Sequence, residues 1–428
     1  MNKAQWLMLG MFSVVLIGCG SDSDSIYMPQ IESKQLLGDA LFHDANLSKN
    51  GTQSCATCHN PENGFADSRD ASGMQSSTPY AASLGDDSLS FGDRNAPTAA
   101  YAALIPEFTE GTRSRNGQQQ VTHGSYEGYL GGQFWDGRES NLAGQAGGPP
   151  TNLLEMGMDD KAAVVSVLKE NALYVEAFEY FYGTEIFNSD EGAYDAMANA
   201  IAEFESKDED KFLSFDSKYD KSLAFPSEYQ YVNESKADTG RVLFFSSDLA
   251  CAACHQSLAL PSRKEPFTSF EYHNIGVPLN AELKTRREAL NLDHPVDLGL
   301  AKNPNIDPED LDASKGKFKV PTMRNVAVTA PYMHNGVFDT LEGVLAFYEH
   351  ARVRGRGDVS TIVNPETNLV FADPELDLNI AHDILKANQE NLLGQEGRAE
   401  AIECFLMTLT DAKFEHLLDS AKVTACGI

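Results

Sequence analysis

Cys55-Ala56-Thr57-Cys58-His59 and Cys251-Ala252-Ala253-Cys254-His255 are the two stretches on which the reading of this chain turns. Two thiols at i and i+3 reach the two vinyl groups of one haem, and a histidine directly after the second thiol falls beneath the iron as its proximal ligand. One such stretch alone also fits a redox dithiol or part of a zinc site. Two of them, both closed by histidine, point to two covalently bound haem c groups, held by Cys55, Cys58 and His59 and by Cys251, Cys254 and His255. Function then turns on the opposite face of each iron. An iron with two protein ligands passes electrons, whereas an iron with an open face binds peroxide or oxygen.

Around the two motifs the chain repeats itself weakly. Leu41-Phe42 begins 14 residues before the first cysteine and Leu243-Phe244 begins 8 before the second, so each half reads as one cytochrome c-like unit. Helical spacing is clear at Met197, Ile201 and Phe204, at Leu341, Val344, Leu345 and Tyr348, and at Ile402, Phe405, Leu406 and Leu409. No comparable alternating strand pattern occurs, which predicts a mainly α fold with two haem domains and long irregular loops. The expected organisation is an export signal over 1–18, a tether over 19–32, an N-terminal haem domain over 33–225 and a C-terminal haem domain over 226–428. Asp67 to Gln133 is rich in Gly, Ser, Asn, Gln and Asp and reads as irregular excursions over a haem. Ser217 to Gly240, with Pro226, reads as the inter-domain boundary. The acidic run Asn303 to Asp312 lacks the glycine and terminal glutamate of an EF-hand loop and reads as a solvated loop.

The 428 residues suffice for two or three domains, and 42% hydrophobic with 22% charged residues fits a globular protein rather than a disordered one. A formal charge of −30 repels nucleic acid and anionic lipid and favours basic docking partners, although much of this acid serves solubility alone. Lys3 precedes an apolar run from Trp6 to Ile17, too short to span a bilayer as a mature helix, and Gly18-Cys19-Gly20 follows. This resembles a bacterial lipoprotein signal with Cys19 as the lipidated first residue. It places the mature protein in the periplasm, and Gly20 after the cysteine favours the outer membrane. The membrane is then met only through that lipid. Cys404 and Cys426 remain, either paired in an oxidising compartment or as free thiols.

Further motifs carry a specific resemblance. Arg94-Asn95-Ala96-Pro97-Thr98, Phe134-Trp135-Asp136-Gly137-Arg138, Val320-Pro321-Thr322-Met323-Arg324-Asn325-Val326 and Ala330-Pro331-Tyr332-Met333-His334-Asn335-Gly336 are similar, in order, to segments of bacterial di-haem cytochrome c peroxidases and their MauG relatives. The likeness covers nearly the whole mature chain. It implies two cytochrome c-like domains with the haems near their interface, and hydrogen peroxide as substrate. It implies that Trp135 lies between the haems and relays electrons. It further implies that Gln145 and Glu155, 10 and 20 residues after that tryptophan with Pro149 between them, shape the peroxide pocket. A carboxylate above an open haem can take a proton from peroxide and return it to the leaving hydroxide, so Glu155 is the acid/base candidate. The family also holds a calcium ion through an asparagine side chain and two backbone carbonyls, which match Asn95, Thr329 and Pro331.

Two departures select a branch. Ordinary family peroxidases place a histidine on the first haem between its motif and the Arg-Asn-Ala-Pro-Thr segment, yet Asn60 to Arg94 contains none, which leaves His123 as the one residue able to supply it. On the second haem ordinary members use a methionine, where MauG-type members use a tyrosine; the matching position, seventeen residues after Pro331, is Tyr348, with Met333 and Met323 as rivals. A phenolate favours oxidised iron and a thioether reduced iron. The expectation is a MauG-like peroxidase that oxidises a periplasmic protein partner, ahead of an ordinary cytochrome c peroxidase fed by a small cytochrome and of a non-enzymatic electron carrier. The substrate-side tryptophan of MauG-type enzymes has no counterpart here, because the only tryptophan besides Trp135 is Trp6 in the signal segment.

Overall fold

A computed structural model describes residues 29–115, 123–256, 264–386 and 396–428. The signal segment, Cys19 and most of the tether lie outside the described residues.

Two helix pairs of the same design organise the two halves. Ser33 caps α1 (Lys34–Phe42) by accepting from the Leu36 amide, and Leu37, Leu41 and Phe42 are fully buried. Its partner α2 (Asp190–Lys207) is capped by Ser189 and carries Asp190 and Glu191 at its positive end and Lys207 at its negative end. Met197, Ile201 and Phe204 line its buried face, as their spacing predicts. α1 tolerates a mid-helix glycine because the pair crosses there. A Cβ on Gly38 would stand 1.9 Å from the Ala200 carbonyl oxygen. The second half repeats this device. α3 (Lys236–Phe245) is capped by Ser235, α4 (Leu341–Gly355) by Thr340, and α5 (Arg398–Met407) crosses α3 at Gly240, whose added Cβ would lie 1.7 Å from the Ala401 oxygen. The internal repeat is therefore longer than Leu-Phe alone: Gly38 and Gly240 each stand three residues before that dipeptide.

Each pair builds its own apolar core, one around Phe42, Phe178, Met197 and Phe204, the other around Phe244, Phe267, Leu345 and Phe405. The cores are not strictly sequential. Tyr219 and Leu223, before the expected boundary at 226, pack in the second core, and Phe414 near the C-terminus packs in the first. Buried Asp411 ties the halves together. Its carboxylate accepts from the Tyr101 hydroxyl at 2.6 Å and the Asn325 amide at 2.8 Å. Cys404 and Cys426 are paired, with Cα atoms 5.3 Å apart, so α5 is joined to the C-terminal helix Ser420–Cys426.

Among the described residues the only sheets are two-stranded ladders, in keeping with the mainly α expectation. One lies within the 67–133 excursion: β1 (Thr109–Arg113) pairs antiparallel with β2 (Tyr126–Leu130), Gly111 facing Gly128. Leu130 bridges to Glu271, next to the ladder of β3 (Tyr272–His273) and β4 (Phe318–Lys319). The excursion of the first half thus docks on the second. The acidic run is less open than expected, since Asp307 caps a helical turn, Leu311–Ser314 forms a short helix, and buried Asn303 donates to the Asp136 carbonyl at 3.1 Å.

Candidate haem sites

The first motif folds into the one-turn helix Cys55–Cys58, entered through a capping box between Ser54 and Thr57. Cys55, Cys58 and His59 line one cavity together with Trp135, Gln145 and Glu155, so the sequence-predicted set is brought together. His59 Nδ1 lies 3.3 Å from the Phe65 carbonyl, and burial lowers the imidazole pKa. A neutral ring donating through Nδ1 keeps Nε2 for iron. Phe65 adopts a left-handed backbone, and the Thr98 hydroxyl fastens the turn by donating to the Gly64 carbonyl at 2.6 Å. Among the described residues His59 is the only histidine lining this cavity. His123 does not reach it, and has Arg115 and Asp383 for charged neighbours instead. Burial raises the Glu155 carboxyl above its usual range, while Arg138 pulls it down. Arg138 is held by Asp136 at 3.1 Å and lies 3.7 Å over the Phe134 ring.

The second motif repeats this arrangement. Cys251–Cys254 form one turn, and the buried His255 imidazole faces the carbonyls of Phe267 and Pro321; burial pushes it down to about 4. Its Nδ1 makes no hydrogen bond of ordinary geometry among the described residues. Phe267 is left-handed like Phe65, and the Thr322 hydroxyl donates to the Pro266 carbonyl at 2.7 Å as Thr98 does to Gly64. The Pro-Thr segments are thus the clasps that hold each proximal turn. Tyr348, Met323 and Met333 all line this cavity. Met323 stands two residues from Pro321, on the histidine's side, and Met333 also borders a middle cavity. Tyr348 faces the second cavity from α4, and burial raises its hydroxyl pKa. Cys254, Glu271 and His273 bring ligand atoms within 4.8 Å of one another, and Cys254 belongs to the second Cys-x-x-Cys-His motif.

Between the two lies a middle cavity, and Trp135 lines all three. Its indole N–H donates to the Asn95 carbonyl at 2.8 Å, and its own carbonyl accepts from the Lys319 amide at 2.9 Å. Asn95, Thr329 and Pro331 line the middle cavity with it. Arg94 bridges Asp297 at 2.6 and 2.8 Å and Asp136 at 2.7 Å, and all three groups are largely buried.

Two residues escaped the sequence reading. Glu205 on α2 lines the first cavity only 4% exposed, one carboxylate oxygen has no hydrogen-bond partner among the described residues, and burial pushes its carboxyl up to about 8. Its signal was available, since it lies one turn beyond Ile201 on the apolar stripe. Lys319, buried beside Trp135, left no signal, because β4 is only two residues long.

A family model described as di-haem cytochrome c peroxidase matches residues 32–226. The chain is 42% identical over 397 residues to the methylamine utilization protein MauG of Paracoccus denitrificans, covering 92% of each. It is 30% identical to the cytochrome c peroxidase Ccp of Escherichia coli over 78% of this chain and 58% of that protein. In structure it is similar to the diheme peroxidase BthA of Burkholderia thailandensis, with a TM-score of 0.68, 24% identity and coverage of 95% and 92%.

Proposed function

We propose that this chain, which belongs to the di-haem cytochrome c peroxidase family, works in the MauG-like manner: it reduces hydrogen peroxide at the His59 site and delivers the oxidising equivalents, by way of Trp135 and the second site, to a protein partner. Membership makes it an oxidoreductase, a di-haem peroxidase with two c-type haems. The residues present fit those groups: each motif offers two free thiols and a neutral buried imidazole lining one cavity.

When bound, the haems supply the iron that takes up and reduces peroxide at the first site and accepts oxidising equivalents at the second. The chain supplies the rest. Glu155 takes the proton of peroxide and returns it to the departing hydroxide, and Arg138 at its flank opposes the effect of burial on that carboxyl. Gln145 orients the oxygen atoms by hydrogen bonding. Trp135 carries electrons between the sites, its indole fixed by the Asn95 carbonyl. Tyr348, lining the second cavity, would hold the second iron, and its oxygen donor would favour the oxidised state. The observation that carries this reading is the first cavity itself, lined by Gln145 and Glu155 and, among the described residues, by no histidine besides His59.

Asn95, Thr329 and Pro331 offer hard oxygen donors suited to calcium, with water completing the shell. The mature protein is exported to the periplasm and anchored to the outer membrane by lipid on Cys19. Among the described residues no helix is long and apolar enough to cross a membrane. The acidic surface recruits a basic partner.

The test is to mix hydrogen peroxide with fully oxidised holoprotein in the absence of reductant. Immediate spectral change at both haems is expected. Reaction only after one-electron reduction would make the chain an ordinary cytochrome c peroxidase.

A further inference from the structure

Lys319 differs from three buried arginines near the sites. Arg94 meets Asp136 and Asp297, Arg324 meets Asp220, and Arg115 meets Glu271. The Lys319 ammonium, on a residue only 7% exposed, donates to the Gly132 carbonyl, and no carboxylate pairs with it among the described residues. Burial pushes its pKa down to about 7 even though Asp136 lies near enough to oppose the shift. An ammonium has three N–H donors, and burying one without a counter-charge is costly. Such a residue is retained where an anion completes it.

The position identifies the anion. Lys319 lines both the second-haem cavity and the middle cavity, next to Trp135. The thioether bonds to Cys251 and Cys254 fix one edge of the porphyrin, and a haem carries its two propionates on the opposite edge. Cys251 and Cys254 line the second cavity but not the middle one, which Lys319 and Trp135 line together.

We propose that Lys319 is the seat of a propionate of the second haem, and that this ion pair fixes the haem edge to the segment carrying Trp135. The connection is direct: the Lys319 amide donates to the Trp135 carbonyl at 2.9 Å while its ammonium reaches Gly132, three residues earlier on the same segment. Lys319 is therefore a positioning residue for the contact between tryptophan and second haem. The inference rests on haem attachment at Cys251 and Cys254, not on the peroxide chemistry.

The test uses holoprotein with two haems per chain and reads the midpoint potential of each haem and the propionate bending band in the resonance Raman spectrum. In Lys319→Gln the second haem's potential falls, because an uncompensated carboxylate favours ferric iron, while the first haem's potential moves less; Lys319→Arg restores most of the shift. Wild-type potentials for both haems in a fully loaded Lys319→Gln overturn the proposal, as does an equal shift at the first haem. If Lys319→Gln does not fold, Lys319→Arg decides, since exchange of ammonium for guanidinium moves the propionate band and an unmoved band refutes the contact. Acetate titrated into wild-type protein leaves the potentials unchanged. A saturable shift would mean that Lys319 receives a free carboxylate instead. Every readout is independent of peroxide turnover, so failure here is distinct from failure of the peroxidase reading.

Discussion

Glu205→Gln should stabilise the protein increasingly as pH rises. Glu205 sits at the first-haem cavity 4% exposed, one oxygen unpartnered among the described residues, and burial lifts its carboxyl from 4.5 to about 8. Its folded pKa exceeds its unfolded one, so between those values the folded state binds more protons than the unfolded state and stability is lost as pH rises. One pKa unit corresponds to about 1.4 kcal/mol. Integrated from about pH 5.5 to 7.5, the loss from this residue is on the order of 2.5 kcal/mol. Glutamine keeps the shape of the neutral acid and does not titrate. The assay is urea unfolding of holoprotein, wild type and variant, followed through the haem absorbance at several pH values. The variant should match wild type near pH 4 and gain on it by about 2 kcal/mol or more at neutral pH. Parallel pH profiles for the two proteins would refute the reasoning and mean that Glu205 finds a partner for its charge.

Glu155→Gln should slow peroxide consumption by roughly 10²- to 10⁴-fold, the usual contribution of a positioned acid/base. Because burial raises the Glu155 carboxyl and the ionised form is the base, wild-type rates should fall on the acid side with a midpoint above 4.5, a limb absent from the variant in stopped-flow pH profiles. Cys404→Ser with Cys426→Ser opens a disulfide of sequence separation 22 and should cost about 3 kcal/mol in the same urea assay. Tyr348→Met should raise the second haem's midpoint potential in spectroelectrochemical titration; an unchanged spectrum and potential would remove Tyr348 from the iron.

The parts of this molecule that sequence made legible are those where chemistry fixes spacing. Two thiols and a histidine must match one porphyrin, and a helix must show its core every third or fourth residue, so the attachment sites and the buried faces of α2, α4 and α5 could be read directly. Gln145, Glu155 and Trp135, known from resemblance alone, do share the first cavity. What escaped is set by tertiary contact. The β1–β2 hairpin buries a single position, Tyr129, and hence shows no alternating pattern of buried residues. Tyr219 and Phe414 belong to cores on the far side of the expected boundary, which only packing can reveal. Glu205 lies on the apolar stripe one turn beyond Ile201, but its residue type, in an acidic helix, reads as solvated.

The central claim is that the two haems are inequivalent, the one at His59 open and the one at His255 capped by Tyr348. The EPR spectrum of untreated ferric holoprotein tests it most directly. One high-spin and one low-spin signal, before any reductant is added, is the predicted result, and two low-spin signals would contradict it.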